Sequence, residues 1–142
     1  MYILNTDGGS RGNPGNAAAG WVIYKTMSDD EKIEVVSKNS KFLGIQTNNF
    51  AEYTAIVEGM KECLQLGIKD LEVRMDSELA MKQITGQYKI KNPQIQIFAS
   101  EIKDLRKMFN TIKFVHVYRE KNKEADKMVN ECLDKNVTRT FK

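Results

Sequence analysis

The sequence contains few of the residues that bind soft metals or form disulfides. Its 142 residues include two cysteines and one histidine. Cys63 and Cys132 are 69 positions apart and belong to no Cys-x-x-Cys motif, so neither a zinc site nor a disulfide framework is indicated. We therefore expect the protein to work in a reducing compartment, of which the cytoplasm is the simplest choice.

Long apolar runs are also missing. No stretch approaches the roughly 20 apolar residues of a transmembrane helix, and residues 1–7 lack the charged start and extended apolar core of a signal peptide. Hydrophobic residues make up 41% and charged residues 29%, a balance typical of a soluble globular protein. The length fits one domain, predicted at residues 1–135 and followed by a tail at residues 136–142.

The net charge of +3 is too small to demand a polyanionic partner. Its distribution is uneven, because residues 1–71 hold 7 basic and 9 acidic side chains whereas residues 72–142 hold 15 and 10. The positive charge of the second half permits contact with a phosphate backbone without requiring it.

The spacing of apolar residues predicts the element order βββαβααβα. The predicted strands are residues 2–6, 21–24, 33–36, 71–75 and 112–117, with a turn at residues 28–31 between the second and third. The predicted helices begin at Asn48 or Asn49, at Asp76-Ser77, at Asn92 and at Asn122. A strand meander followed by alternating strands and helices implies an α/β protein with a mixed sheet and helices on both faces.

Four carboxylates occupy positions that core packing does not explain: Asp7, Glu52, Asp76 and Asp126. They lie at predicted strand ends and in first helical turns, where open α/β sheets place their ligand sites. Each has a structural explanation when taken singly, since an acid in a first turn stabilises the helix dipole and an Asp beside glycines is a common turn residue. Together, and without soft ligands, they favour Mg²⁺ or Mn²⁺ and metal-assisted phosphodiester hydrolysis.

Four sequence blocks carry these acids. They are Asp7-Gly8-Gly9-Ser10-x-Gly12-Asn13-Pro14-Gly15, Thr47-Asn48-Asn49-x-Ala51-Glu52, Met75-Asp76-Ser77 and Asn122-x-Glu124-Ala125-Asp126. In content, order and spacing they resemble the signature blocks of type 1 ribonuclease H, over about residues 1–135. The resemblance implies the five-stranded mixed sheet of that family, with three antiparallel N-terminal strands and two parallel ones, in a compact form without the basic protrusion of some members.

The resemblance also implies an endonuclease that cuts the RNA strand of an RNA–DNA hybrid. Members use two Mg²⁺ ions, with Mn²⁺ as a substitute, and leave 3′-hydroxyl and 5′-phosphate ends. By position, the catalytic and metal-binding acids are Asp7, Glu52, Asp76 and Asp126, with Asp7 bridging both ions. The implied substrate contacts are Gly9, Ser10, Asn13, Thr47, Asn48, Asn49 and Tyr88. One of the two adjacent asparagines is expected to cap the helix as well, and we expect a monomer that binds the hybrid duplex and no membrane.

The sequence departs from the family pattern near the last acid. Many members carry a histidine in a loop before it, whereas residues 117–122 contain none. Arg119 or Glu120 is expected to substitute in part, and Arg119 is the one predicted as catalytic. His116 lies within a predicted strand, where a structural role is expected. Glu78 and Ile45 stand where members use a Gln and an Arg for substrate contacts.

Two other functions stay open at this point. One is a catalytically weak or inactive ribonuclease-H-like module that binds nucleic acid, which would be expected to have lost at least one acid. The other is a related two-metal nuclease that acts on DNA, which would not need the blocks that contact RNA 2′-hydroxyls.

Overall fold

The computed structural model describes residues 1–27 and 32–137. Its strands are β1 (Tyr2–Arg11), β2 (Gly15–Met27), β3 (Lys32–Gln46), β4 (Asp70–Met75) and β5 (Thr111–His116). Its helices are α1 (Asn48–Gln65), α2 (Glu78–Ile84), α3 (Pro93–Arg106) and α4 (Lys123–Asn136), with a 3-10 turn at Arg119–Lys121. The predicted order βββαβααβα is confirmed. The predicted turn at residues 28–31 and residues 138–142 of the predicted tail lie outside the described residues.

β1 lies at the centre of the sheet, whose strand order is β3-β2-β1-β4-β5. β2 pairs antiparallel with β1 and β3, whereas β4 pairs parallel with β1 and β5. The predicted mixed sheet is therefore confirmed. The ladder between β1 and β4 ends at Thr6 and Met75, so that Asp7 and Asp76 are the next residues on two neighbouring strands.

Helices cover both faces of the sheet, as predicted. On one face, α1 and α3 enclose the larger core, which includes Leu4, Ile23, Tyr53 and Ile102. On the other face, α4 packs against β2 over a smaller apolar cluster, comprising Ala18, Val129, Cys132 and Leu133. Among the described residues, no helix is both long enough and apolar enough to cross a membrane.

The first three strands are longer than predicted. Residues 8–11, which lie beyond the predicted strand at residues 2–6, continue β1 as far as Arg11, opposite Asn16 of β2. Asp7 therefore lies within β1, and the prediction that it ends the strand is wrong. Pairing with β2 overrides the low strand propensity of Asp and Gly, whereas the ladder to the parallel neighbour β4 ends at Thr6, one residue before Asp7.

The helix starts agree with the sequence prediction at α2 and α3, where Ser77 and Asn92 are the capping residues. At α1 the cap is Thr47, whose hydroxyl accepts from the Phe50 N–H at 3.1 Å. The predicted cap at Asn48 or Asn49 is therefore wrong, and the Asn48 side chain instead accepts from the Ser10 amide at 2.8 Å.

The last helix also differs in detail from the prediction. Asn122 precedes α4 but makes no capping hydrogen bond with its side chain. α4 extends to Asn136, one residue beyond the predicted end of the domain. The domain boundary itself stays a prediction.

Candidate active site

Asp7 and Asp76 form the base of the candidate site. Each is the first residue beyond the end of the β1–β4 ladder, so the two acids lie next to each other on adjacent parallel strands, with Asp7 still paired with β2. Asp7 is 7% exposed, while Asp76 is half-buried. The carboxyl ends of parallel strands are the usual ligand-binding edge of an α/β sheet, and the chain has placed two acids there.

Gly8 brings the third acid to this edge. A Cβ atom at this position would overlap main-chain atoms of Ala51 and Glu52, because the first turn of α1 lies directly against β1. Only a glycine permits such a close approach of two backbones. The Glu52 carboxylate thereby comes within hydrogen-bonding reach of the Gly8 N–H.

Three carboxylates meet at this point. One oxygen from each of Asp7, Glu52 and Asp76 lies within 4.8 Å of the others. Burial is the main cause that raises the pKa of Asp7 to about 8, and the charges of Asp76 and Asp126 add to it. Burial likewise raises the pKa of Glu52 well above its usual range, with help from Asp7 and Asp76. Acids crowded in this way bind protons or cations strongly, so the geometry is that of a cation site.

Two groups oppose these shifts. The Gly8 N–H stabilises the charged forms of both Asp7 and Glu52, and so lowers their pKa values. The charge of Arg119 also lowers the pKa of Glu52. Each is the smaller influence, so the net direction for both carboxyls remains upward.

Asp126 faces the other three acids from α4. A Cβ atom at Gly20 would lie 2.8 Å from the Ala125 carbonyl oxygen and 3.0 Å from the Val129 amide nitrogen, so α4 is pressed against β2. Asp126 lines the same cleft and contributes to the raised pKa of Asp7, yet it is outside the set of three mutually close acids. The structure therefore brings all four predicted acids to one cleft and three of them to metal-binding distance.

The cleft has a volume of about 320 Å³. It is lined by Asp7, Gly8, Gly9, Ser10, Arg11, Asn48, Glu52, Asp76, Arg119, Asp126, Val129, Asn130 and Leu133. The predicted substrate contacts at the end of β1 and the start of α1 thus take part in it, and the Ser10 hydroxyl donates to Asn48 Oδ1 at 3.0 Å. Asn13 accepts from the Asn48 amide at 3.1 Å and so supports the rim from outside.

Other predicted contacts lie away from the cleft. Thr47 is occupied as the cap of α1, and Asn49 follows in its first turn. Tyr88 is 49% exposed and lies under the Lys82 ammonium, which is 5.1 Å from the ring centroid. This lysine also pairs with Glu78 at 3.1 Å, and none of these three residues is among those that line the cleft.

Two polar side chains that line the cleft, those of Arg11 and Asn130, are not among the residues predicted from the sequence. Arg11 is the variable position within the first sequence block. Asn130 is four residues after Asp126 on α4, and its amide donates to the Asp126 carboxylate at 3.3 Å. The helical spacing of four would have identified Asn130. His116, by contrast, is exposed beside Tyr118 and is not among the residues that line the cleft, so nothing in the geometry opposes its predicted structural role.

A five-stranded mixed sheet of this order, with helices on both faces and acids gathered where β1 and β4 part, defines the ribonuclease-H-like class of proteins. Residues 5–132 match the family model described as "Reverse transcriptase-like", and the chain belongs to this family. The predicted resemblance to type 1 ribonuclease H is confirmed by its relatives.

Three similar proteins illustrate the match. The bifunctional protein Rv2228c of Mycobacterium tuberculosis is 33% identical over 132 residues, which are 93% of this chain and 35% of that protein. A ribonuclease HI of Halobacterium salinarum is 38% identical over 128 residues, 90% of this chain and 62% of that protein. LC11-RNase H1, solved in complex with an RNA/DNA hybrid, has a TM-score of 0.86 and 38% identity, covering 97% of this chain and 100% of that one. This chain thus spans less than two thirds of the length of either curated relative.

Proposed function

We propose that this protein is an endonuclease that hydrolyses the RNA strand of RNA–DNA hybrids with two Mg²⁺ ions and leaves 3′-hydroxyl and 5′-phosphate ends. The observation that carries the proposal is the convergence of Asp7, Glu52 and Asp76, from three different elements, to within 4.8 Å. Burying and crowding carboxylates is unfavourable in the absence of a cation. A functional role in binding cations, rather than a contribution to the stability of the fold, therefore explains the placement of these three acids.

The donor set fits hard divalent cations. The three close ligands are all carboxylates, which favours Mg²⁺ and permits Mn²⁺. Asp7 is proposed as the shared ligand because its carboxylate interacts with each of the other three acids. Glu52 and Asp76 would complete the ligands of one cation, and Asp76 or Asp126 those of the other. Two bound ions would supply an activated water and would stabilise charge on the attacking and leaving oxygens of a phosphodiester.

The chain itself prepares the site for cations. With its pKa near 8, Asp7 holds a proton at neutral pH when no cation is bound. Binding of a cation must release that proton, so the affinity for cations rises with pH up to about 8. The Gly8 N–H is a fixed donor that favours the charged carboxylates needed for binding.

Recognition of the RNA strand is assigned to the rim of the cleft. The proposed substrate contacts are Gly9, Ser10, Asn13, Thr47, Asn48, Asn49 and Tyr88. At the rim, the Asn48 side-chain oxygen accepts from Ser10, which leaves its Nδ2 group to donate. Amide and hydroxyl groups suit the 2′-hydroxyl that distinguishes RNA from DNA. The hybrid complex of LC11-RNase H1, a protein of similar fold, supports this substrate.

Arg119 is assigned an electrostatic part in catalysis. It lines the cleft and lies close enough to lower the pKa of Glu52. A guanidinium keeps its charge at all ordinary pH values, so it cannot relay protons as a histidine does. Its proposed role is to stabilise the negative charge that develops on the phosphate.

One assay tests the proposal. The protein is incubated in Mg²⁺ with end-labelled RNA–DNA hybrid, RNA duplex and DNA duplex of one sequence, with excess EDTA as the control. We expect cleavage of the RNA strand of the hybrid alone, products with 3′-hydroxyl and 5′-phosphate ends, and no turnover in EDTA. Binding of the hybrid without cleavage would point to the binding module instead, and cleavage of the DNA duplex would point to a DNA nuclease.

The proposal extends to a cytoplasmic monomer. Cys63 and Cys132 are buried free thiols, which supports a reducing compartment. Size-exclusion chromatography with light scattering should give a mass near 16.3 kDa, and a mass of twice that value would contradict the monomer.

A further inference from the structure

Arg11 is a cation on the cleft that the proposed chemistry leaves unused. Among the described residues that line the cleft there are four acids and two cations, Arg11 and Arg119. A polyanionic strand that approaches this surface meets a net negative charge unless cations offset it. Each arginine in the cleft therefore bears directly on whether a phosphate can enter.

The backbone that carries Arg11 is held firmly. Arg11 pairs with Asn16 at the end of the β1–β2 ladder, and the preceding Ser10 is bound through its amide and hydroxyl to Asn48. The position of the Arg11 Cα is thus fixed relative to the acids on β1. Only the side chain has freedom to change partner.

The present partner of this side chain is a carboxylate on α4. Arg11 Nη2 lies 2.8 Å from Asp134 Oδ1, and the two side chains are 44% and 68% exposed. An ion pair so open to water contributes little to stability. A guanidinium binds carboxylate and phosphate oxygens with the same forked geometry, so a phosphate can replace Asp134 at small cost.

We propose that Arg11 binds a phosphate of the RNA strand, and that Asp134 holds its guanidinium at the rim of the cleft until the strand arrives. The inference rests on the proposed function, because the strand that lies against Asp7 and Glu52 is the one that is cut. Arg11 follows Gly9 and Ser10 along the same strand and lines the same cleft, so the nearest phosphates belong to that RNA strand. Arg11 and Arg119 then supply the two positive contacts of the cleft.

The test compares Arg11→Ala with two other substitutions. Lys61→Ala is the matched control, since it breaks an ion pair of similar length and exposure, 2.9 Å to Glu101, outside the cleft. Asp134→Asn removes the resting partner and keeps Arg11. Dissociation constants for a fluorescent hybrid are measured without metal over a series of KCl concentrations, and kcat and KM are measured in Mg²⁺. Melting curves verify that all variants fold.

We expect Arg11→Ala to weaken binding by about 5- to 30-fold and to reduce the slope of log Kd against log salt by about one. KM should rise while kcat stays within about twofold, because a contact of this kind binds substrate and transition state alike. Arg11→Lys should recover part of the affinity, and Asp134→Asn should bind as tightly as the unchanged protein or more tightly.

Two outcomes would overturn the inference. One is an Arg11→Ala variant with the affinity and salt slope of Lys61→Ala. The other is an Asp134→Asn variant that loses as much affinity as Arg11→Ala, because the ion pair itself would then be what matters. Neither outcome would contradict the proposed function, since that fails only if the unchanged protein does not cut the hybrid in the same Mg²⁺ buffer.

Discussion

The two walls of the cleft are built differently. The α1 wall, formed by Asp7, Glu52 and Asp76, is closed by a contact between two backbones at Gly8. The α4 wall carries Asp126 on a helix that is preceded by the 3-10 turn with Arg119. The first wall gathers acids into a set of three, and the second leaves its single acid outside that set.

The two walls of the cleft also differ in their electrostatics. The α1 wall raises the pKa values of two carboxyls, mainly by burial. The α4 wall includes the exposed Asn130, which donates to Asp126, and the exposed ion pair of Asp134 with Arg11. The α1 wall, with its crowded acids, therefore suits the proposed cations, whereas the exposed contacts of the α4 wall suit exchange for those of a substrate.

The largest effect should come from removing the central acid of the α1 wall. We expect Asp7→Asn to lower kcat on the hybrid by at least about 1000-fold, because the proposed shared cation ligand is lost. Asp126→Asn, on the α4 wall, should lower it by only about 10- to 100-fold. Single-turnover cleavage assays with both variants measure the difference. Equal losses would contradict the difference between the walls, since Asp126 would then be as necessary to cation binding as Asp7.

Although Asp7→Asn should lower kcat, it should raise the stability of the metal-free protein. Because the pKa of Asp7 is raised to about 8 in the folded protein, protonation of Asp7 stabilises the metal-free protein at acid pH, and this contribution is lost as the pH rises from about 4 to about 8. Asparagine at this position does not titrate. We therefore expect the unfolding free energy of metal-free Asp7→Asn to exceed that of the unchanged metal-free protein by on the order of 2–4 kcal/mol at pH 8.5. Near pH 4 the two unfolding free energies should differ little.

Thermal melts in EDTA at a series of pH values test this prediction. Addition of Mg²⁺ should stabilise the unchanged protein and not Asp7→Asn, because only the former binds the cation tightly. A pH-independent difference between the two proteins would contradict the raised pKa. A difference that survives saturating Mg²⁺ would contradict the assignment of Asp7 as a ligand.

A third, smaller effect concerns the attachment of the α4 wall to β1. Asn122 is fully buried, and its side-chain amide donates to the Thr6 carbonyl at 2.8 Å, while its main-chain carbonyl accepts from the Asp126 N–H at 3.1 Å. This chain of hydrogen bonds joins the residue before Asp7 to Asp126. We expect Asn122→Ala to cost about 1–3 kcal/mol of unfolding free energy and to lower kcat more than it changes KM.

The matched control is Asn136→Ala, at the far end of the same helix. Its amide also donates to a backbone carbonyl, that of Cys132, at 2.8 Å. Urea titrations and steady-state kinetics on both variants separate stability from positioning. If Asn136→Ala lowers kcat as much as Asn122→Ala, the loss follows general destabilisation and the link to the acids is not needed.

The sequence predicted the α1 wall better than the α4 wall. The four acids could be recognised because each stands where core packing has no use for a carboxylate, and the element order placed them at one edge of the sheet. Close contacts at Gly8 and Gly20 could not be foreseen, since they depend on which helix lies against which strand. For the same reason the length of β1 and the position of Asp126 outside the set of three required the structure.

Side-chain partners across the fold were the least predictable. The ion pair of Arg11 with Asp134 joins positions 123 residues apart, and no local sequence pattern predicts it. Thr47 rather than Asn48 caps α1 because Ser10, far away in sequence, occupies the Asn48 oxygen. Periodicity and capping rules describe one segment at a time, so contacts between segments escape them.

The smallest expected effect separates two residues at the end of β5. Arg119 lines the cleft and acts on Glu52, whereas His116 is exposed beside Tyr118, with ring centroids 5.8 Å apart. We expect Arg119→Ala to lower kcat by about tenfold, which corresponds to about 1.4 kcal/mol of transition-state stabilisation. His116→Ala should change kcat by less than about twofold. Initial rates on the hybrid in Mg²⁺ compare the two variants. A larger loss in His116→Ala than in Arg119→Ala would assign the catalytic role to the histidine and would leave Arg119 as a binding residue of the α4 wall.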